Sequence, residues 1–353
     1  MAVTNYIYAL MTDRRQGPLD AVAKFFLWLL SLGYGAAARG TQALYALKIL
    51  PSFRPPKPVI SVGNITVGGA GKTPLVLAIV QALMARQLRV AILTRGHMPA
   101  GQNTFSDEAR MLQERLPDVP VLTGADRRTS IQEFLKNHVV DVFVCDDALQ
   151  HWPLQRDLDV AVIDAVNPFG NGHLLPRGVL REPLSALKRA QIMVLTKTDH
   201  PKANPEDLRR KLYSINPQAL IVESRHVSRH CVDVYQKTVY DLSHLSGLSV
   251  VGFCAIGDPN SFRQNLEETG LKVANIFGFM DHHVYTEQDL AMVRRWAQDN
   301  SVQVVVTTHK DAVKLAAFEK FWQGFRVYYL QIELEITHGK NVFLDRIVSA
   351  AGH

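Results

Sequence analysis

Cysteine is scarce in this chain: its 353 residues include three, Cys145, Cys231 and Cys254, widely separated and forming no C-x-x-C pair. That excludes a disulfide framework and a structural zinc site, and it fits a reducing compartment. Long uncharged apolar runs are also lacking. The most apolar stretch, Phe25 to Ala38, lies between Lys24 and Arg39 and offers fourteen residues, where a membrane-spanning helix needs about 20. No basic segment precedes the first apolar stretch, and charges at Asp13, Arg14 and Arg15 come early, so neither a bilayer crossing nor export is expected. There is no internal repeat, no low-complexity tract and no basic run interleaved with aromatics, so no nucleic-acid partner is expected.

What is present is ordinary for a globular protein, 47% hydrophobic and 20% charged, in a chain longer than one hydrophobic core usually supports. Two domains are expected. The net charge of +6 suits an anionic partner, such as a nucleotide or an acidic membrane surface.

Beyond a Pro-rich connector, Pro51 to Pro58, short apolar runs alternate with helical patterns: Val59 to Val62, Val90 to Leu93, Val119 to Leu122, Val142 to Val144, Leu158 to Ile163 and Ile192 to Leu195. Runs this continuous predict a buried, mostly parallel sheet with helices on both faces, an α/β/α layer of the P-loop NTPase type. A second, smaller α/β series spans Leu248 to Cys254, Val273 to Phe277 and Val302 to Thr307. The β-prone segments Leu220 to Tyr240 and Arg326 to Glu335 flank it and predict a two-stranded β linker. The expected domains are therefore 1–220, completed by 337–353, and 221–336.

The strongest local signal lies in Ser61 to Pro74, where Gly68, Gly69, Ala70, Gly71, Lys72, Thr73 and Pro74 follow a predicted strand and precede a helical pattern. Glycines let backbone N–H groups close around the phosphates of ATP, Lys72 would reach the β and γ phosphates, and the Thr73 hydroxyl would ligate Mg²⁺. The strict G-x-x-x-x-G-K-[ST] pattern would place Gly at 66, where this chain has Thr66. A second metal ligand is expected at the end of a neighbouring strand, and Val140 to Asp147 ends in Asp146 and Asp147. Adjacent strand residues point to opposite faces, so one of the two would coordinate and the other support it. Asp107 and Glu108 (SDEA), Arg181 and Glu182 (REP), Asp281 to His283 (DHH) and Thr307 to Asp311 (TTHKD) are further polar candidates. Each alone also reads as a cap, a loop or a surface turn.

Taken in order, SVGNITVGGAGKTP, SDEA, CDDALQH, LLPRGVLREPL, DHH and TTHKDAVKL resemble the tetraacyldisaccharide 4'-kinases (lipid A 4'-kinases) of Gram-negative bacteria. The resemblance implies transfer of the γ-phosphate of ATP to the 4'-hydroxyl of an acylated glucosamine disaccharide 1-phosphate, giving the bis-phosphorylated lipid A precursor. It implies Asp107 as the catalytic aspartate with His282 as its partner, alongside Lys72. Glu108, Asp146, Asp147, Arg181, Glu182 and Asp281 fall at metal, substrate or supporting positions. On this reading His282 comes from the second domain, and the pair assembles when the domains close. Three features depart from the family: Ala148-Leu149 where Gly-Phe is more common, His309 in place of a usual Glu, and a short stretch from Arg95 to Ser106.

A bilayer-anchored acceptor also bears on Phe25 to Leu32, which otherwise reads equally as a buried helix or an interfacial one. It favours contact with an anionic membrane surface, placing the chain peripherally on the cytoplasmic face of the inner membrane. No obligate protein partner is inferred. Thr196-Lys197-Thr198-Asp199 resembles a guanine-reading motif and keeps a P-loop GTPase or metallochaperone-type NTPase as the alternative, with a non-catalytic membrane adaptor behind it.

Overall fold

The computed structural model describes residues 2–95, 106–257, 259–280 and 283–352. Two compact units emerge, the first comprising Met1–Arg95, Asp118–Arg225 and Glu335–His353, the second Gly96–Pro117 and His226–Leu334.

In chain order the first unit contains α1 (Ala2–Met11), α2 (Pro18–Ala46), β1 (Val59–Gly63), α3 (Lys72–Met84) and β2 (Val90–Thr94). After α4 (Asp107–Arg115), which belongs to the second unit, come β3 (Val121–Thr123), α5 (Arg127–Phe134), β4 (Val142–Asp146), β5 (Leu158–Asp164), β6 (Ile192–Thr196) and α6 (Pro205–Ile215). The chain enters the second unit through β7 (Leu220–Asp233), followed by β8 (Val239–Asp241), β9 (Ser249–Cys254), α7 (Pro259–Glu268), β10 (Lys272–Gly278), α8 (Glu287–Asp299), β11 (Val304–Thr308) and the short α9 (His309–Ala312). It returns through β12 (Arg326–His338) to α10 (Lys340–Ala350), which packs on α3 and β1.

Strands of the first unit run in the order β7-β6-β5-β1-β4-β2-β3, and the registered pairs among them are parallel. Every residue of β1, β2, β4 and β6 is buried, as the continuous Val/Ile/Leu runs require when helices cover both faces. In the second unit β10, β9, β11 and β12 are parallel neighbours around a core that includes Phe253, Tyr285 and Trp322. The antiparallel hairpin of β7 with β8 completes it.

Helix α2 differs from its expected length. The charges at Lys24 and Arg39 do not end it. With Pro18 at its start and no further proline until Pro51, it runs for 29 residues and is long and apolar enough, by length and composition, to cross a membrane. Its face is not that of a buried helix either: only Asp20, Ser31 and Gly35 are buried, while Phe25, Phe26, Leu30 and Leu32 are each more than half exposed. Asp20 fixes the start, accepting from Gly17 N, Tyr6 Oη and Arg15. One narrow stripe docks on the loop of residues 171–182. Ser31 Oγ donates to Leu174 O, Tyr34 Oη to Arg181 O, and a Cβ on Gly35 would stand 2.7 Å from Leu174.

Candidate functional site

The phosphate loop starts where β1 meets β4. A Cβ on Gly63 would lie 2.6 Å from Leu149 Cβ and 2.8 Å from Leu149 N, so glycine is needed for this approach. Ile65, the next apolar residue, joins Leu149 in a buried cluster with β5, β6 and α6. A short antiparallel contact with residues 179–181 follows. Arg181 N donates to Ile65 O at 2.7 Å, Thr66 bridges Leu180, and Val67 N donates to Val179 O at 2.8 Å. Thr66 thus occupies a short antiparallel ladder, a conformation that needs no glycine. The turn itself falls at Gly68 and Gly71, with φ of 112° and 89°. Ala70 is buried and its carbonyl accepts from Thr196 Oγ1 at 2.9 Å, which pins the loop to the end of β6. Helix α3 begins at Lys72, so its unpaired first-turn N–H groups and Lys72 share one end.

Lys72 Nζ lies 3.1 Å from Asn64 Oδ1 and 3.6 Å from Asp147. Register pairs Val62 with Asp146, which brings the paired carboxylates of β4 level with the start of the loop. Asp146 is buried, and Arg127 Nη2 donates to its carbonyl at 2.7 Å. Asp147 takes the left-handed region at φ 48° and turns its carboxylate to Arg181, 3.0 Å away. Burial opposes the charge on Asp147, but Lys72 and Arg181 outweigh it and hold its pKa below the usual carboxylate value. Among the described residues no group of three or more His, Cys, Asp or Glu side chains is placed to hold a metal. The oxygen-bearing side chains at this end of the sheet, Thr73, Asp146 and Asp147, are hard donors of a kind that would fit Mg²⁺.

Glu182 is engaged inside the protein. It is 3% exposed and accepts from Gln42 Nε2 at 2.6 Å, Gln150 Nε2 at 2.8 Å and Arg189 Nη2. A cavity of about 240 Å³ adjoins it, lined by Tyr34, Thr41, Gln42, Gln150, Trp152 and Arg181 among others.

In the second unit α4 is capped by Ser106, whose Oγ accepts from Ala109 N, and Asp107 and Glu108 occupy its first turn. The helix is fastened to α9 and the residues after it. Glu114 meets His309 at 3.1 Å, Glu108 meets Lys310 at 3.7 Å, Arg110 donates to Val313 O, and Asp107 lies 3.4 Å from Lys314. Asp281 and His282 lie outside the described residues. Their neighbour His283 is bonded to Asp289, the partner of Thr286 in the capping box of α8, and is stacked on Phe279. Asp107 therefore belongs to the same unit as Met280 and His283. The expectation that Asp107 sits in the first domain is corrected: α4 is held by pairs with residues about two hundred positions later, which no local pattern reports.

The first three residues of the guanine-like motif have structural partners. Thr196 holds Ala70, Lys197 is ion-paired with Asp164 at 2.6 Å, and Thr198 Oγ1 donates to Ser224 O. Asn64, Gln150 and Lys314 stood inside quoted motifs without an assigned role. Arg127 carried no sequence signal.

The chain is similar to known proteins of one family. The family model for LpxK, tetraacyldisaccharide-1-P 4'-kinase, matches residues 23–350. A tetraacyldisaccharide 4'-kinase of Anaeromyxobacter sp. (strain K) is 39% identical, over 97% of this chain and 96% of its own length. One from Halothermothrix orenii is 32% identical, over 94% of each. Among solved structures, LpxK from Aquifex aeolicus in complex with ATP superposes with a TM-score of 0.75 at 24% identity, covering 94% of this chain and 100% of that one.

Proposed function

Since the chain belongs to the tetraacyldisaccharide-1-P 4'-kinase family, we propose that its Gly68–Pro74 loop holds ATP for phosphorylation of a lipid A precursor. The protein is a kinase of lipid A biosynthesis, and the guanine-directed NTPase alternative is not favoured. The acceptor is the 4'-hydroxyl of a tetraacylated glucosamine disaccharide 1-phosphate, and the product is the bis-phosphorylated precursor.

The observation that supports this best is the convergence of Lys72, Asp147 and Arg181 beside a glycine turn at the N-terminus of α3. Backbone N–H groups of Gly68 to Thr73 would bind the phosphates, and Lys72 would leave Asn64 and Asp147 for the γ-phosphate. Thr73 and Asp146 or Asp147 would hold Mg²⁺. An ion held there would supply positive charge to offset that of the phosphates. Asp107 accepts the proton of the 4'-hydroxyl as that oxygen bonds to the γ-phosphorus and the bridging oxygen leaves with ADP. His282 supports Asp107, while Glu108, Arg181, Glu182 and Asp281 have supporting or acceptor-side roles. The exposed apolar face of α2 would rest on an anionic bilayer at the cytoplasmic face of a Gram-negative inner membrane.

Transfer of ³²P from ATP to a tetraacylated disaccharide 1-phosphate tests the reading. Mg²⁺-dependent labelling that is lost in Lys72→Ala is expected. No transfer by folded, nucleotide-binding protein would refute it.

A further inference from the structure

Lys314 lies outside every role assigned above, yet its ammonium has three partners. Nζ is 3.1 Å from Asp311 Oδ1, 3.1 Å from the carbonyl of His283 and 3.4 Å from Asp107 Oδ2. The side chain is 10% exposed and the face of the Tyr285 ring lies 5.6 Å from Nζ. The first two are hydrogen bonds and the third is an ion pair, so the Asp107 carboxylate faces a cation already held by two acceptors.

The anchor of this arrangement is Asp311, which is fully buried. Its Oδ2 accepts from Ala255 N at 2.9 Å, just beyond β9, and from Thr308 Oγ1 at 2.7 Å, at the end of β11. Its position is thereby set by the strand ends of the second unit, and Lys314 inherits that position. The cation then reaches two partners far apart in sequence, Asp107 at the start of α4 and the carbonyl of His283. The other described α4 links, Glu108 to Lys310, Arg110 to Val313 O, Glu114 to His309 and Lys237, and Arg115 to Glu333, are made by later residues of the helix and do not reach its first.

We propose that Lys314 is a positioning residue for phosphoryl transfer: clamped to Asp311, it fixes Asp107 Oδ2 and the His283 turn together, leaving Asp107 Oδ1 to take the acceptor proton. This rests on the assignment of Asp107 as proton acceptor. Without Lys314, Asp107 can rotate about its own side-chain torsions, and misplacement of a reacting group by about 1 Å is enough to cost roughly 100-fold in rate.

The test compares Lys314→Met, Lys314→Gln and Lys314→Ala with Asp107→Asn and with the Lys314→Met/Asp107→Asn double variant, all in the full chain. The expected result is a kcat lowered about 100-fold in each Lys314 variant that folds, with KM for ATP changed less than about threefold. Ethylammonium added to Lys314→Ala should restore part of kcat, which a purely structural lesion would not allow. The double variant should be no slower than Asp107→Asn alone, because the two residues act as a unit. Lys314→Gln guards against a folding failure of Lys314→Met, since glutamine can still donate to Asp311 and His283 O. Near-normal kcat in folded Lys314 variants, absence of amine rescue, or additive losses in the double variant would overturn the proposal. If Asp107→Asn itself keeps normal kcat, the underlying assignment falls, and the proposal with it. A crippled Asp107→Asn beside fully active Lys314 variants sinks the proposal alone.

Discussion

Replacing Glu182 with alanine separates a structural carboxylate from one that meets ligand. The carboxylate is 3% exposed and accepts from Gln42, Gln150 and Arg189, the last a guanidinium that is itself only 17% exposed. Removing it leaves a largely buried cation without its counter-charge and takes one acceptor from each amide, while Arg189 keeps Ala186 O and Leu149 O and Gln150 keeps Asn64 O. Breaking a buried ion pair costs about 3–5 kcal/mol. The two amides border a cavity that water can enter, so they add little to that figure. For a chain of this size each kcal/mol moves a melting midpoint by roughly 2 °C, so the transition of the first unit should fall by about 6–10 °C. Scanning calorimetry is the appropriate measurement, because a protein with two units need not unfold in one step. Glu182→Gln should fall in between, since its amide keeps one acceptor oxygen and turns a donor toward other donors. Assayed below its melting range, Glu182→Ala should lose far less kcat than Lys72→Ala. Unchanged melting with a collapse of kcat would refute the argument and return Glu182 to the acceptor.

Gly63→Ala should destabilise the first unit by about 1–3 kcal/mol, through its overlap with Leu149, and raise KM for ATP. Denaturant titration and nucleotide kinetics check it, and wild-type values in both would contradict the close approach described. His151 has a pKa pushed down to about 4, chiefly by burial, with Arg127 and Arg156 adding to it. The native protein keeps it neutral while the unfolded chain takes up a proton near pH 6.5, so stability should decline as pH falls from 6.5 toward 4. Melting scans at pH 7 and pH 5 should show a smaller drop in His151→Gln, and an equal drop would exclude this residue as a cause. Changing Phe25, Phe26 and Leu30 together to serine should lower sedimentation with anionic liposomes at least tenfold while leaving helicity intact. Undiminished sedimentation would show that this face is not the attachment surface.

The parallel strands were legible because burial on both faces leaves unbroken apolar runs, and β1, β4 and β6 coincide with such runs. The length of α2 was not, because Lys24 and Arg39 resembled boundaries, whereas a charge interrupts an apolar stretch without interrupting a helix. Thr66 looked like a defect in the phosphate motif. Its explanation lies in a partner, Leu180, more than a hundred residues away. The allegiance of α4 was hidden for the same reason: Glu114 and His309 are 195 positions apart, and their pairing leaves no periodicity to read.

The ladder joining Ile65 and Val67 to Arg181 and Val179 has a mechanical meaning for the first unit. The strip of chain that it clamps to the phosphate loop also carries Leu174 and Arg181, whose carbonyls receive Ser31 and Tyr34 of α2. A shift of the loop must therefore be taken up by α2, or the hydrogen bonds between them must break. The phosphate loop and α2 are thus joined through one strip of chain, and by linkage any effect of restraining one on ligand binding at the other would be matched in the opposite direction.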